Sequence, residues 1–130
     1  MIVANETTPV AIMLSAGDRH DGPQGRILLD EIGTLFAGSR VLMDRAYEGA
    51  ETRAQVISQG MSHVVPPKKN RRDPWEYDRE AYRRRNEVER YHRRLKGSRR
   101  VATRYDKLDV MFFSFVLLAV IFEMLRPVVV

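Results

Sequence analysis

Cysteine is absent from this 130-residue sequence. That excludes disulfides, thiolate metal sites and a cysteine nucleophile, and it agrees with a reducing cytoplasm. The opening residues Met1–Val10 lack a basic region followed by a long apolar run, so no signal peptide is read and a cytoplasmic location is expected. A membrane-spanning apolar run is lacking too. Val110–Phe122 is free of charge, but it covers 13 residues where a span needs about 20, and Asp109, Glu123 and Arg126 close its ends. It reads as a buried core helix. The alternative, a membrane-associated or interaction protein anchored by this run, predicts solubility that depends on detergent.

Positive charge is scarce in the first half and crowded in the second. Residues 1–64 carry 5 Arg against 8 Asp+Glu, and residues 65–130 carry 17 Lys+Arg against 9 Asp+Glu. Most of the excess lies between Lys68 and Lys107. A basic block confined to one stretch points to a polyanionic partner, nucleic acid first, more firmly than a diffuse basic surface does. With 44% hydrophobic and 30% charged residues, the chain has the composition of a folded domain, and its length suits one domain, residues 1–130, with a modest core.

The order of elements reads as α/β. Met1–Ala4 and Pro9–Leu14 are apolar stretches around a polar turn, giving a hairpin with Pro9 at a strand start or on an edge. Pro23 opens a helix whose apolar face would carry Ile27, Leu28, Ile32 and Leu35 or Phe36. Val41–Met43 suits a strand buried on both faces. A helix over Gly49–Gly60, with Ala50, Ala54, Val56 and Ile57 apolar, precedes a brief strand His63–Val65. Pro66–Pro74 is a linker-like, basic loop. Two helices close the chain, one over Glu76–Lys96 and one over Lys107–Arg126. The alternation implies a sheet that is at least partly parallel.

Two places carry candidate chemistry. Asp44 ends the strand Val41–Met43, at the carboxyl edge where open α/β sheets bind ligands. It equally suits an Asp that caps the following turn or pairs with Arg45. The helix Glu76–Lys96 has an apolar stripe of Tyr77, Ala81, Val88 and Leu95, with Arg84 falling inside it, and beside the stripe an arc of Tyr82, Arg85, Glu89 and Lys96. The same pattern suits a solvated helix with local pairs such as Glu89–Arg93. His20, His63 and His92 are too scattered to suggest zinc.

The spacing Tyr82, two residues, Arg85, three residues, Glu89, six residues, Lys96 resembles the signature of bacterial insertion-sequence transposases with a DDE catalytic domain. Other segments match in the family's order: Leu14–Asp21, Met43–Tyr47, the basic loop Val64–Arg72, and Arg100–Asp106. The resemblance implies a ribonuclease-H-like mixed sheet flanked by helices. It implies that Asp44 and Glu89 are the second and third acidic ligands of two Mg²⁺ ions. The complete enzyme would hydrolyse the transposon end and then join the freed 3′-hydroxyl to target DNA. Tyr82, Arg85 and Lys96, with Lys68, Lys69, Arg71, Arg72 and Arg93 around them, would contact double-stranded DNA at transposon ends and target.

The family's first Asp sits on a strand preceding the hairpin, and no such strand is read here. Asp18, Asp21 and Glu48 are weighed as substitutes and set aside. The chain is therefore expected to be the C-terminal part of such a domain, a remnant or the second frame of a frameshifted element. It would retain DNA binding, lack catalysis alone, and have an upstream-frame product or a second copy as protein partner. The alternative is a non-catalytic basic DNA-binding module.

Overall fold

The structure, a computed structural model, describes residues 1–126. They fall into two compact units, Ser15–Asn86 and the hairpin Met1–Leu14 with the described residues from Glu87 onward. Each is built around its own elements.

The hairpin pairs β1 (Ile2–Asn5) with β2 (Thr8–Ala11); in the Ser15–Asn86 unit, α1 spans Asp21–Ile32, β3 Arg40–Leu42, α2 Ala50–Ser58, β4 Ser62–Val64 and α3 Arg79–Arg83. β3 and β4 pair in parallel, Val41 opposite His63 and Leu42 opposite Val64. Parallel neighbours need a crossover, and α2 supplies it. The expected parallel pairing is present, yet the sheets are small: two strands here and two in the hairpin. Val41, Leu42 and Met43 are only half-buried, so the strand is not covered on both faces as expected. A two-stranded sheet gives each strand a single ladder partner and little cover.

Leu28, Leu29 and Ile32 form the buried face of α1. Leu28 and Ile32 of the expected face are buried and Phe36 is half-buried, but Leu29 joins them in place of Ile27, which is 46% exposed, and Leu35, beyond the helix end, is 80% exposed. α2 buries Thr52 and Val56, whereas the expected Ile57 points outward. Two glutamines explain the register. Gln55 Nε2 donates to the Arg26 carbonyl at 2.9 Å and to Asp30 Oδ1 at 2.7 Å. Gln59 Nε2 donates to the Leu29 carbonyl at 2.9 Å. These polar ties fix which face of α2 meets α1. Gly60 ends the turn after α2 with φ 77°, a conformation that costs glycine little.

The helix expected over Glu76–Lys96 is broken. Asp78 caps α3, its Oδ1 accepting from the Ala81 N–H at 2.9 Å, so Tyr77 lies before the helix. After Arg83 the chain tightens: Arg84 N–H reaches the Ala81 carbonyl and Arg85 N–H the Tyr82 carbonyl, both three residues back. α4, Asn86–Leu95, then starts anew. At this break the Arg85 side chain meets Asp44, its Nη1 3.4 Å from Oδ2. Arg84 is exposed rather than set in an apolar stripe.

In the other unit, β1 (Ile2–Asn5) and β2 (Thr8–Ala11) pair antiparallel with irregular register. Asn5 Oδ1 accepts from the Thr7 N–H and hydroxyl, closing the polar turn. After α4 come a short α5 (Arg99–Ala102) and α6 (Asp109–Leu125). Tyr91, Leu95, Ala119 and Val120 form the buried cluster, with Met1, Val3, Ile12 and Val101 packed against it. α6 appears where expected but is not a buried core helix: only Ala119 and Val120 are buried, and Val110 is 77% and Phe122 65% exposed. The unit offers too few apolar partners to wrap it. No helix among the described residues is long and apolar enough to cross a membrane.

Candidate functional site

Asp44 lies just past β3 and caps a 3-10 turn over Arg45–Tyr47, its carboxylate accepting from the Arg45 N–H. Its Oδ2 meets Arg85 Nη1 at 3.4 Å, so the structure brings two of the sequence-expected residues together. Tyr82 is beside them: the Arg85 guanidinium carbon lies 5.7 Å from its ring centre, and Tyr77 meets the same ring edge-on at 5.6 Å. Burial raises the Tyr82 phenol above its ordinary range, opposed by Arg85 and aided by the Asp44 carboxylate. Tyr47 is raised likewise, by burial and then by Asp21 and Asp44. Both phenols stay protonated near neutrality and can donate. Gly25 on α1 makes room here, since a Cβ at that position would stand 2.5 Å from the Tyr47 ring.

The basic loop is organised by one buried carboxylate. Glu48, 6% exposed, accepts from the Lys68 backbone N–H at 3.0 Å and from Arg71 Nη1 at 3.2 Å, and Lys68 Nζ stands 3.5 Å away. Burial alone would raise the Glu48 carboxyl, but the Lys68 N–H, Arg71 and the Lys68 ammonium outweigh it and hold it below the usual carboxylate range. Lys69 and Arg72 of the same loop are exposed and pair with no carboxylate among the described residues.

Next to this loop, Trp75 donates its Nε1–H to the Val65 carbonyl at 2.8 Å. The guanidinium carbons of Arg53 and Arg71 lie 3.9 and 4.6 Å from its ring centre. Neither the anchoring role of Glu48 nor the part played by Arg53 and Trp75 is visible in the sequence. Nothing local in the sequence marks Glu48, which lies 20 residues before the loop it holds.

Glu89, Arg93 and Lys96 belong to the other unit. Glu89 and Arg93 lie on α4 and Lys96 just past its end, all three exposed. Glu6 of the hairpin turn pairs with Arg90 at 3.3 Å and Arg94 at 3.5 Å, leaving Arg93 and Lys96 without a carboxylate partner among the described residues.

A divalent-ion site needs several hard oxygen donors together. Asp44 offers two, but one accepts from the Arg45 N–H and the other faces Arg85. No group of three or more His, Cys, Asp or Glu side chains able to hold a metal gathers among the described residues. The residues described do not fit a complete ion site, and no metal-dependent step follows from them.

The model of the transposase DDE domain family matches residues 1–123. No curated protein and no solved structure matches the chain. The match runs from the hairpin through the Asp44 turn and the basic loop into α6, and so takes in every element that carries a candidate residue. On that span the chain belongs to the transposase DDE domain family, whose work is DNA transposition.

Proposed function

We propose that this chain binds double-stranded DNA through the segment between Lys68 and Lys107, as part of a transposase catalytic domain with a ribonuclease-H-like sheet. One observation carries the DNA reading. Lys69, Arg72, Arg93 and Lys96 are exposed and meet no carboxylate among the described residues, while their neighbours Lys68, Arg71, Arg90 and Arg94 are held by Glu48 and Glu6. Cations without an internal counter-ion are the ones that can release counterions from phosphates. Tyr82 and Arg85 add a phenol and a guanidinium beside Asp44. The β3–α2–β4 crossover supports the ribonuclease-H-like reading, because a parallel pair at its core would seat Asp44 at a carboxyl edge.

Asp44 and Glu89 are proposed as two members of the family's acidic set. Family members use divalent ions, and Mg²⁺ suits carboxylate oxygens. A third carboxylate would come from outside the described residues, with an upstream product or a second copy of the chain as the protein partner. Cleavage and strand transfer then belong to that larger assembly in the cytoplasm. This chain would be the C-terminal part of its catalytic domain. The 130 residues alone bind DNA without nicking it. The second reading, a basic DNA-binding module without catalysis, is favoured by the Arg85–Asp44 pair, which already engages the carboxylate.

Fluorescence anisotropy of a labelled duplex tests the proposal. Affinity should fall steeply between low and physiological salt. The double variant Arg93→Ala, Lys96→Ala should weaken binding to all sequences alike and lower the salt slope by about 2. Binding indifferent to salt would overturn the DNA reading, and nicking by the chain alone would overturn the catalytic assignment.

A further inference from the structure

The Ser15–Asn86 unit contains a cationic cavity that lies outside the signature residues. It measures about 430 Å³, is open to solvent, and is lined by Arg53, Arg71, Arg72, Asp73 and Trp75. Three guanidiniums face one carboxylate. Arg71 is shared with Glu48, but Arg53 and Arg72 have no carboxylate partner among the described residues.

The cavity wall is ordered rather than a loose gathering of charge. Trp75 is pinned by its Nε1–H on the Val65 carbonyl, and His63 stacks against it with ring centres 6.3 Å apart and planes 29° apart. Arg53 lies over the indole at 3.9 Å and donates Nε–H to His63 Nε2 at 3.1 Å. His63 Nε2 therefore acts as an acceptor, which places the ring proton on Nδ1. The stack and the His63 bond fix the Arg53 guanidinium in one plane and use one of its five N–H groups. The four Nη protons remain, in the fork geometry that matches two oxygens on one acid centre.

We propose that Arg53 and Arg72, with Trp75 and His63 as positioning residues, form a subsite for one phosphodiester of a DNA strand. The subsite rests on the DNA-binding reading above and extends it to a residue, Arg53, from the acidic half of the chain. Three points select the ligand. Two guanidiniums without acid partners call for an anion. A space of about 430 Å³ takes a phosphate with its sugar, where a bare halide would leave it mostly empty. The indole is already covered by Arg53 and Arg71, so it serves to hold guanidiniums and is not a free platform for a base.

Trp75 is the sole tryptophan, so its emission reports on this site alone. The full chain is titrated with a short single-stranded oligonucleotide and with an abasic strand of the same length, while anisotropy of a labelled duplex reads overall binding. Both strands should shift Trp75 emission saturably. Arg53→Gln should abolish that shift at the same concentrations and weaken duplex binding roughly tenfold. Arg72→Gln, at an exposed position where folding is not at stake, should weaken binding in the same direction. Emission that responds only to the strand bearing bases would assign a base-stacking site and overturn the proposal. Parent-like duplex binding by both variants, with emission unmoved, would overturn the subsite and leave DNA binding standing. No duplex binding by the parent chain would overturn both.

Discussion

Both units bury apolar side chains, Ser15–Asn86 around Leu28, Leu29, Val56 and Val65 and the hairpin–helix unit around Tyr91 and Leu95, but among the described residues the buried polar ones, Glu48, Thr52 and Gln59, all lie in the first. Ser15–Asn86 is tied by polar side chains: Gln55 and Gln59 join α2 to α1, Asp78 joins the start of α3 to Arg40 of β3 at 2.9 Å, and buried Glu48 gathers the basic loop. The hairpin–helix unit relies on apolar packing around Tyr91 and Leu95. Its ion pairs, such as Arg90–Glu6, are largely solvated and worth little. In the first unit a polar residue is structural because it is buried. In the second, an apolar residue on α6 is often not structural because it is exposed. Residue type alone does not say which positions carry the fold.

The largest expected effect breaks the apolar unit. Tyr91 is fully buried, and its hydroxyl finds no hydrogen-bond partner among the described residues. Tyr91→Ala should cost about 3–5 kcal/mol, as other large aromatic truncations do. Tyr91→Phe should stay within about 1 kcal/mol of the parent, or gain stability, because it deletes a polar group that is desolvated without compensation. Urea melts of both variants check this. A Tyr91→Phe loss above about 2 kcal/mol would mean that the hydroxyl is bonded after all.

The next effect addresses the polar unit. Glu48→Gln removes the charge that Lys68 and Arg71 share and should cost about 1–3 kcal/mol at neutral pH. The folded carboxyl is held below its ordinary value, so its contribution is fully present above the unfolded range, about 4, and is lost as pH falls through the lower folded value. The stability gap between parent and variant should therefore close on acidification below about pH 4. Thermal melts across that window decide it: a gap that persists unchanged at low pH would show that Glu48 acts by shape and not by charge.

These contrasts also mark what the sequence could reveal. The hairpin turn was legible because Asn5-Glu6-Thr7-Thr8 is polar between apolar flanks. The β3–α2–β4 crossover was legible from Val41–Met43 and the Gly60 stop. Asp44 and Arg85 were both singled out from spacing and resemblance, and they meet. The break at Arg84–Arg85 is hidden in the sequence, because arginine is a good helix former and the Asp44 that Arg85 meets there lies 41 residues away. The faces of α1 and α2 are legible in part, through Leu28, Ile32 and Val56, while Thr52 and the glutamine ties to backbone carbonyls are not, since no apolar periodicity reports them. Tyr91 is hidden among the charges of Glu89–Arg94, because the apolar stripe of this segment runs through Val88 and Leu95.

The smallest expected effect sharpens the comparison at α6, where the lack of charge in Val110–Phe122 suggests core. Phe122 is 65% exposed and Val120, two residues earlier, is 6% exposed. Phe122→Gln should change stability by no more than about 0.5 kcal/mol, because little apolar area leaves water at that position. Val120→Ala, on the buried side, should cost more, through lost burial and the space left behind. The Phe122 change should also lower binding of a hydrophobic dye, since the exposed row Leu117, Leu118, Ile121 and Phe122 is continuous along the helix. Chemical melts and dye titration on the same samples separate the two faces. A Phe122→Gln loss as large as that of Val120→Ala would mean that something packs against this face in solution, and the contrast between exposed and buried apolar positions on α6 would fail.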